Sequence, residues 1–301
     1  MTRTVEDLRS VDHACAVPVS DEQLWEMTAE FVAAGLDRGE QVVYFDDGTS
    51  SHVLERLADD RVLVGPSIED GSFAIVPPDA TRTALRSPLP AVAEIVTATV
   101  DGAVAQGYSG VRLTGQFNYA LQRAGGVSLA EYDTVFDDVS RERPVRILCL
   151  YDRRRFPDGA IEEMRARHHT ELVVPAIYDD GLLRITAIGP VAARVAGEVD
   201  HSNRPRIRRL LEAALDDALR SHSAPTDITL DLSSLRFLDV AGAVSLVHAA
   251  EEFPSTHRLV LTGVRPRVVR VLDRCGAPFA AQLVVEPRTD VQAETGTGAA
   301  P

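Results

Sequence analysis

The chain has 301 residues, 45% of them hydrophobic and 25% charged, which is enough material for two hydrophobic cores. A formal net charge of -14 opposes general binding to nucleic acid, whose phosphates such a surface repels, and the basic run "YDRRRFP" is too short to form a segregated patch. Three cysteines, Cys15, Cys149 and Cys275, stand far apart without CxxC spacing, so neither a disulfide framework nor a zinc ribbon is expected and a reducing cytoplasm fits.

The opening "MTRTVEDLRSVDHAC" has no apolar core of signal-peptide length, and no stretch approaches ~18 apolar residues, so neither export nor membrane spanning is expected. "DHACAVPV" predicts a strand, Ser20 a helix cap, and "DEQLWEMTAEFVAAGLDRG" a helix with Leu24, Met27, Phe31 and Leu36 on one face. "QVVYFDD" reads as a strand, "SSHVLERLADD" as a short helix, and "SFAIVPPD" as a strand stopped by two prolines. The helix "LPAVAEIVTATVDGAVAQGY", the strand "GVRLTGQF", a helix capped by Ser128 and the apolar run "VRILCLYD" follow. Such alternation predicts βαβ units and a mostly parallel sheet with helices on both faces.

The periodicity weakens near "HHTELVVPAIYDDGLL", which predicts a domain boundary near residue 180. Beyond it, "LLRITAIG" and "AARVAGEVD" read as strands, and "SNRPRIRRLLEAALDDALRSH" as a helix with Ser202 or Asn203 as cap. Next come the run "DITLDLSSLRFLD", the helix "GAVSLVHAAEEF", the strand "RLVLTGV", the helix "RPRVVRVLDRCG" and the strand "AAQLVVE". The small, polar end of the chain, from residue 288 to 301, predicts a disordered tail.

Residues 182–287 resemble a STAS domain, the fold shared by anti-sigma factor antagonists and the cytoplasmic tails of sulfate transporters. "VAGEVDHSN", "ITLDLSSLRFLDVAG" and "RLVLTGVRPRVVRVLDRCG" carry the resemblance in the family's order. Residues 8–178 resemble the MEDS sensory domain of DcmR-type regulators through "DHACAVPVSDEQL", "FVAAGLDRGEQVVYF" and "VRILCLYDRRRFP". That resemblance implies a RecA/KaiC-like α/β unit without nucleotide chemistry. The corresponding turn, "VPVSDEQL", agrees: it lacks the glycines and lysine of a phosphate cradle and carries acidic residues instead.

The STAS resemblance implies a partner-binding surface formed by Asp200, His201, Asn203, Asp239, Val240, Ala241 and Gly242. In phosphorylatable antagonists the tip reads Asp-Ser-Ser-Gly, with the second serine as acceptor. Ala241 stands at that position and has no hydroxyl, so phosphorylation there is excluded. The expected partner is an anti-sigma factor or an ATPase-fold serine kinase, with no nucleic acid, membrane or cofactor; a second copy of the chain is a further partner considered. A switch moved to Ser245, Ser233 or Ser234 is the alternative, set against a helix serine bonded to a backbone carbonyl. Nucleotide binding to the STAS part is a further alternative, though no phosphate cradle supports it.

In the amino-terminal part, His13 and Cys15 alternate onto one face of the first strand and are candidate contacts for an unknown small ligand. Asp46 follows the second strand, at the end of an α/β sheet where ligands bind. Cys149 reads as a buried small hydrophobe. Asp46/Asp47 and Asp137/Asp138 read as solvated ends of elements. His168 and His169 have no metal-binding partner at i+4, so packing at a helix end is the reading and no metal is expected. An acyl-transfer enzyme would need a nucleophile on a strand-turn-helix elbow, and that elbow ends in Ala241.

Overall fold

Apolar runs separated by capped amphipathic segments become strands and helices in a computed structural model, which describes residues 2–5, 8, 12–48, 53–116, 128–220 and 225–288. The chain divides into two units, Met1–Pro175 and Ala176–Pro301.

The first unit runs β1 (Thr2–Arg3), β2 (His13–Ala16), α1 (Asp21–Leu36), β3 (Gln41–Phe45), α2 (Val53–Asp59), α3 (Gly65–Glu69), β4 (Phe73–Val76), α4 (Pro78–Arg86), α5 (Leu89–Ala105), β5 (Val111–Gln116), α6 (Leu129–Glu142), β6 (Val145–Leu150), α7 (Asp158–Arg167) and β7 (Thr170–Leu172). Its seven strands lie in the order β1-β7-β2-β6-β5-β3-β4, every pairing parallel. Alternate strand residues bury opposite faces. Cys15, Val43, Leu113, Ile147 and Cys149 pack with Val96, Val100 and Phe136 of α5 and α6. Ala14, Ala16, Leu148 and Leu150 pack with Met27 and Phe31 of α1, while Val42 and Tyr44 pack with Leu24 and Leu57. This double cover explains the near-continuous apolar strands.

Both predicted serine caps form: the Ser20 hydroxyl accepts from Gln23 N–H, and Ser128 closes a capping box with Glu131. A charged group is also buried between sheet and helix. Arg112, fully buried, donates from Nε to Glu40 Oε2 at 2.6 Å and from Nη1 to the Phe31 carbonyl at 2.9 Å, while Arg146 pairs with the other Glu40 oxygen. Burial lowers the Arg112 pKa to about 10. The two prolines after β4 do more than stop it, because Pro78 opens α4 at a helix position that needs no N–H. Phe117 of the fourth predicted strand and residues 289–301 of the expected tail lie outside the described residues.

The second unit runs β8 (Tyr178–Asp179), β9 (Leu183–Gly189), β10 (Ala192–Val199), α8 (Arg204–Arg220), β11 (Asp227–Asp231), β12 (Leu235–Leu238), α9 (Val240–Glu251), β13 (Arg258–Val264), α10 (Pro266–Arg274) and β14 (Leu283–Pro287). Its mixed sheet has the order β14-β13-β11-β10-β9-β8, antiparallel at β8-β9 and β9-β10 and parallel elsewhere, with β12 also parallel to β10. Tyr178 and Asp179 pair with Ile185 and Arg184, so the short strand ending the expected first domain belongs to the second sheet. The run "DITLDLSSLRFLD" is two strands rather than one. Asp231 Oδ1 accepts from both the N–H and hydroxyl of Ser233 and turns the chain there. Thus β11 lies along the first half of β10 and β12 along its second half, which delivers the chain to α9 beside Val199.

Candidate functional site

In the second unit the loop between β12 and α9 is built to be rigid. Asp239 is the N-cap of α9, and its Oδ1 accepts from Gly242 N–H at 2.6 Å, satisfying a helix-end donor. Its Oδ2 lies 3.6 Å from Arg204 Nε at the start of α8. Gly242 is packed so closely that a Cβ there would sit 2.9 Å from Leu238 Cδ1, 3.0 Å from Asp239 Oδ1 and 3.1 Å from Val199 Cγ1. On this turn Val240 is 66% exposed and Phe237 47% exposed, and the Ala241 methyl also faces solvent. Two apolar side chains are thus held in water on either side of a capped turn.

The other residues expected on this surface divide. Asp200 is half-buried and turns the chain through bonds from Ser202, and His201 is exposed. Asn203 is a correction: it is fully buried, accepting from Asp200 N–H at 3.0 Å and donating to the Glu198 carbonyl at 3.1 Å, so it shapes the loop instead of meeting a partner. Ser233 and Ser234 are also buried, the first donating to Asp231 and the second accepting from Arg194 Nη2 at 2.9 Å. Ser245 is half-buried in a small groove between α8 and α9 with Arg204 and Arg208.

In the first unit the predicted ligand residues separate. Asp46 Oδ1 accepts from Gly48 N–H and serves its own turn. Cys15 is buried in the core beside β6, and burial pushes its thiol up to about 12. His13 does gather chemistry, with partners that lie far away in sequence. Its Nδ1 is 2.9 Å from Asp137 Oδ1, and its Nε2 is 3.3 Å from Cys149 Sγ and 3.1 Å from His168 Nε2. His168 caps the end of α7, with Nδ1 2.8 Å from the Met164 carbonyl. Asp133 completes the group: Tyr151 donates to its Oδ1 at 3.1 Å, while its Oδ2 accepts no hydrogen bond and lies 3.5 Å from His168 Nδ1. Burial raises Asp133 to about 6 and Cys149 well above the ordinary thiol range; burial and then His13 lower His168 to about 4.

Several expectations change here. His168 is at a helix end, as read, but buried within a polar cluster. Asp137 is no solvated helix end, since it accepts from His13, and Asp47 is buried as well. Cys149 is buried, but in contact with a histidine. The i+4 test missed the cluster because its members come from four different elements. The one local signal was the i, i+4 pair Asp133 and Asp137, which faces β2 from one side of α6. Across Phe136, whose ring meets that of His13 edge-on, lies an apolar cavity of about 50 Å³ lined by Leu85, Val96, Leu113 and Gln116. It is about a third of the ~150 Å³ apolar cavity that admits benzene, so a ligand of more than a few atoms would have to displace its walls.

Among the described residues, no helix is long and apolar enough to cross a membrane. Comparison with curated proteins finds no match. Among solved structures, the chain is similar to the flagellar accessory protein FlaH from Methanocaldococcus jannaschii, with 8% identity, a TM-score of 0.45, and coverage of 62% of this chain and 79% of that one. Residues 185–284 match the STAS domain model, and residues 12–169 match the model described as MEthanogen/methylotroph, DcmR Sensory domain. The parallel α/β unit that holds the histidine cluster is therefore a sensory domain joined to a STAS domain, and the chain belongs to the MEDS family.

Proposed function

We propose that this chain is a non-enzymatic signalling regulator of the anti-sigma factor antagonist type. Its STAS domain binds a protein partner through the turn at Phe237–Gly242, and its MEDS domain, sensing a small ligand, governs that binding. The partner is an anti-sigma factor or an ATPase-fold kinase. One observation carries the reading: Val240 and Phe237 are exposed on a turn that Asp239 and Gly242 hold rigid. Rigid exposed apolar anchors lose little entropy on docking and bury well. Ala241 stands at the tip with no hydroxyl, so a kinase that docks there finds no acceptor and the usual phosphate release is absent. Control then passes to the sensory domain.

The test is co-purification of the full chain from its native cell extract. A specific partner retained by wild type and by Ile188→Asp, an exposed position on β9, is expected to be lost from Val240→Asp and Phe237→Asp. Retention of every partner by both loop variants would refute the surface. A second reading rests on Ser245, whose neighbours Arg204 and Arg208 suit a phosphate. An intact-mass gain of one phosphate in wild type and none in Ser245→Ala, after exposure to the co-purifying kinase, would support it.

A further inference from the structure

The two imidazoles of the MEDS domain meet nitrogen to nitrogen. The Met164 carbonyl can only accept, so His168 Nδ1, 2.8 Å away, carries the proton. His13 Nδ1 likewise donates to the Asp137 carboxylate at 2.9 Å. In the neutral rings both Nε2 atoms then present lone pairs to each other at 3.1 Å. Lone pairs at that separation repel, and a cation between them removes the conflict. Cys149 Sγ is 3.3 Å from His13 Nε2, and the buried Asp133 carboxylate has its Oδ1 3.9 Å from that same nitrogen, while its Oδ2 accepts no hydrogen bond. One donor atom from each of His13, Asp133, Cys149 and His168 lies within 4.8 Å of all the others.

We propose that His13 Nε2, His168 Nε2, Cys149 Sγ and a carboxylate oxygen of Asp133 form a buried site for a divalent transition-metal cation of the zinc class. Around a tetrahedral zinc, with bonds of ~2.0–2.1 Å to nitrogen or oxygen and ~2.3 Å to sulfur, donors stand about 3.3–3.6 Å apart. The observed 3.1 and 3.3 Å need movements of only a few tenths of an ångström, and the wider donor separations, all within 4.8 Å, must close by up to about 1.2 Å. The outer hydrogen bonds are also those of metal-bound histidines, each ring anchored through its other nitrogen to a carboxylate or carbonyl. On binding, the Cys149 thiol proton leaves to solvent. Thiolate and carboxylate then balance the two positive charges, which a buried site requires. Four protein donors leave no open position, so the ion joins β2, α6, β6 and the end of α7 rather than performing hydrolysis. This site stands whether or not the STAS turn binds a partner.

The full chain, stripped by a chelator and dialysed, is titrated with Co²⁺ as a coloured substitute for zinc. About one ion per chain is expected to saturate it, with a sulfur-to-cobalt charge-transfer band, intense tetrahedral d–d bands, and loss of both when Zn²⁺ is added. Cys149→Ser should lose the charge-transfer band and Cys15→Ser should keep it. His168→Asn should bind at least about 100-fold more weakly, with far-ultraviolet circular dichroism reporting that it folds. Absence of saturable uptake by wild type would overturn the site without reference to any variant. So would a charge-transfer band that survives in Cys149→Ser, or nitrogen NMR showing a proton shared between the rings while metal is in excess.

Discussion

The contribution of the turn between β12 and α9 to stability can be measured by two substitutions at one residue. Asp239→Ala removes the acceptor of the Gly242 N–H, and loss of such a cap costs about 1 kcal/mol. It also removes the contact to Arg204, with both side chains about a quarter to a third exposed, which contributes roughly 0.2–1 kcal/mol after solvent screening. The expected loss is about 1.5 kcal/mol. For a domain of roughly 100 residues that lowers the thermal midpoint by on the order of 6–10 °C. Asp239→Asn keeps an oxygen for the cap and loses only the charge, so its cost is at most about 0.5 kcal/mol. Scanning calorimetry of the full chain measures both, in the transition that a STAS-unit core variant such as Leu246→Ala also lowers. Equal losses in the Asn and Ala variants, or an Ala loss below about 0.3 kcal/mol, would refute the cap as what holds the turn. If the cap does hold it, the partner should remain bound to Asp239→Asn and be weakened by Asp239→Ala.

Gly242→Ala forces a methyl against Leu238, Asp239 and Val199 and is expected to cost about 1–3 kcal/mol by urea unfolding. Glu40→Ala strands two guanidinium groups, one fully buried, so the MEDS domain should lose about 3–5 kcal/mol in the same assay, with a smaller loss for a Glu40→Ala/Arg112→Met pair. A thiol reagent at pH 8 should modify half-exposed Cys275 first. Cys15 and Cys149, buried and with raised pKa, should react only on unfolding. Chelation of the metal-loaded chain should lower the MEDS melting transition, by about 2.7 kcal/mol where free metal had stood at a hundredfold its dissociation constant.

The layered architecture was legible because it depends on local pattern. Strands buried on both faces read as apolar runs, and Ser20 and Ser128 announced helices by their position alone. The turn before α9 was equally local, since Asp239 caps the helix through Gly242, three positions on. What escaped depends on tertiary contact or on residues with two uses. Pro77 and Pro78 can end a strand or begin a helix, and only the fold shows that they do both. The turn within "DITLDLSSLRFLD" is made by one Asp231 side chain, which the apolar pattern conceals. The histidine cluster is the extreme case. His13 meets Cys149 across 136 positions and His168 across 155, so no spacing rule reaches it. Only the parallel pairing of β2 with β6 brings those two strands side by side.

The position of β7 in the first sheet bears on how the sensory domain assembles. This last strand of the unit inserts between its first two, pairing with β1 on one side and β2 on the other. During synthesis, β1 must wait for Thr170–Leu172 before it has this neighbour, and so long a sequence separation makes the final closure slow. A fragment ending before Thr170 would expose the edge of β2 and leave an open strand edge prone to self-association. In the complete sheet the last strand of the unit is thus an interior one, tied on both sides, and not a frayed edge.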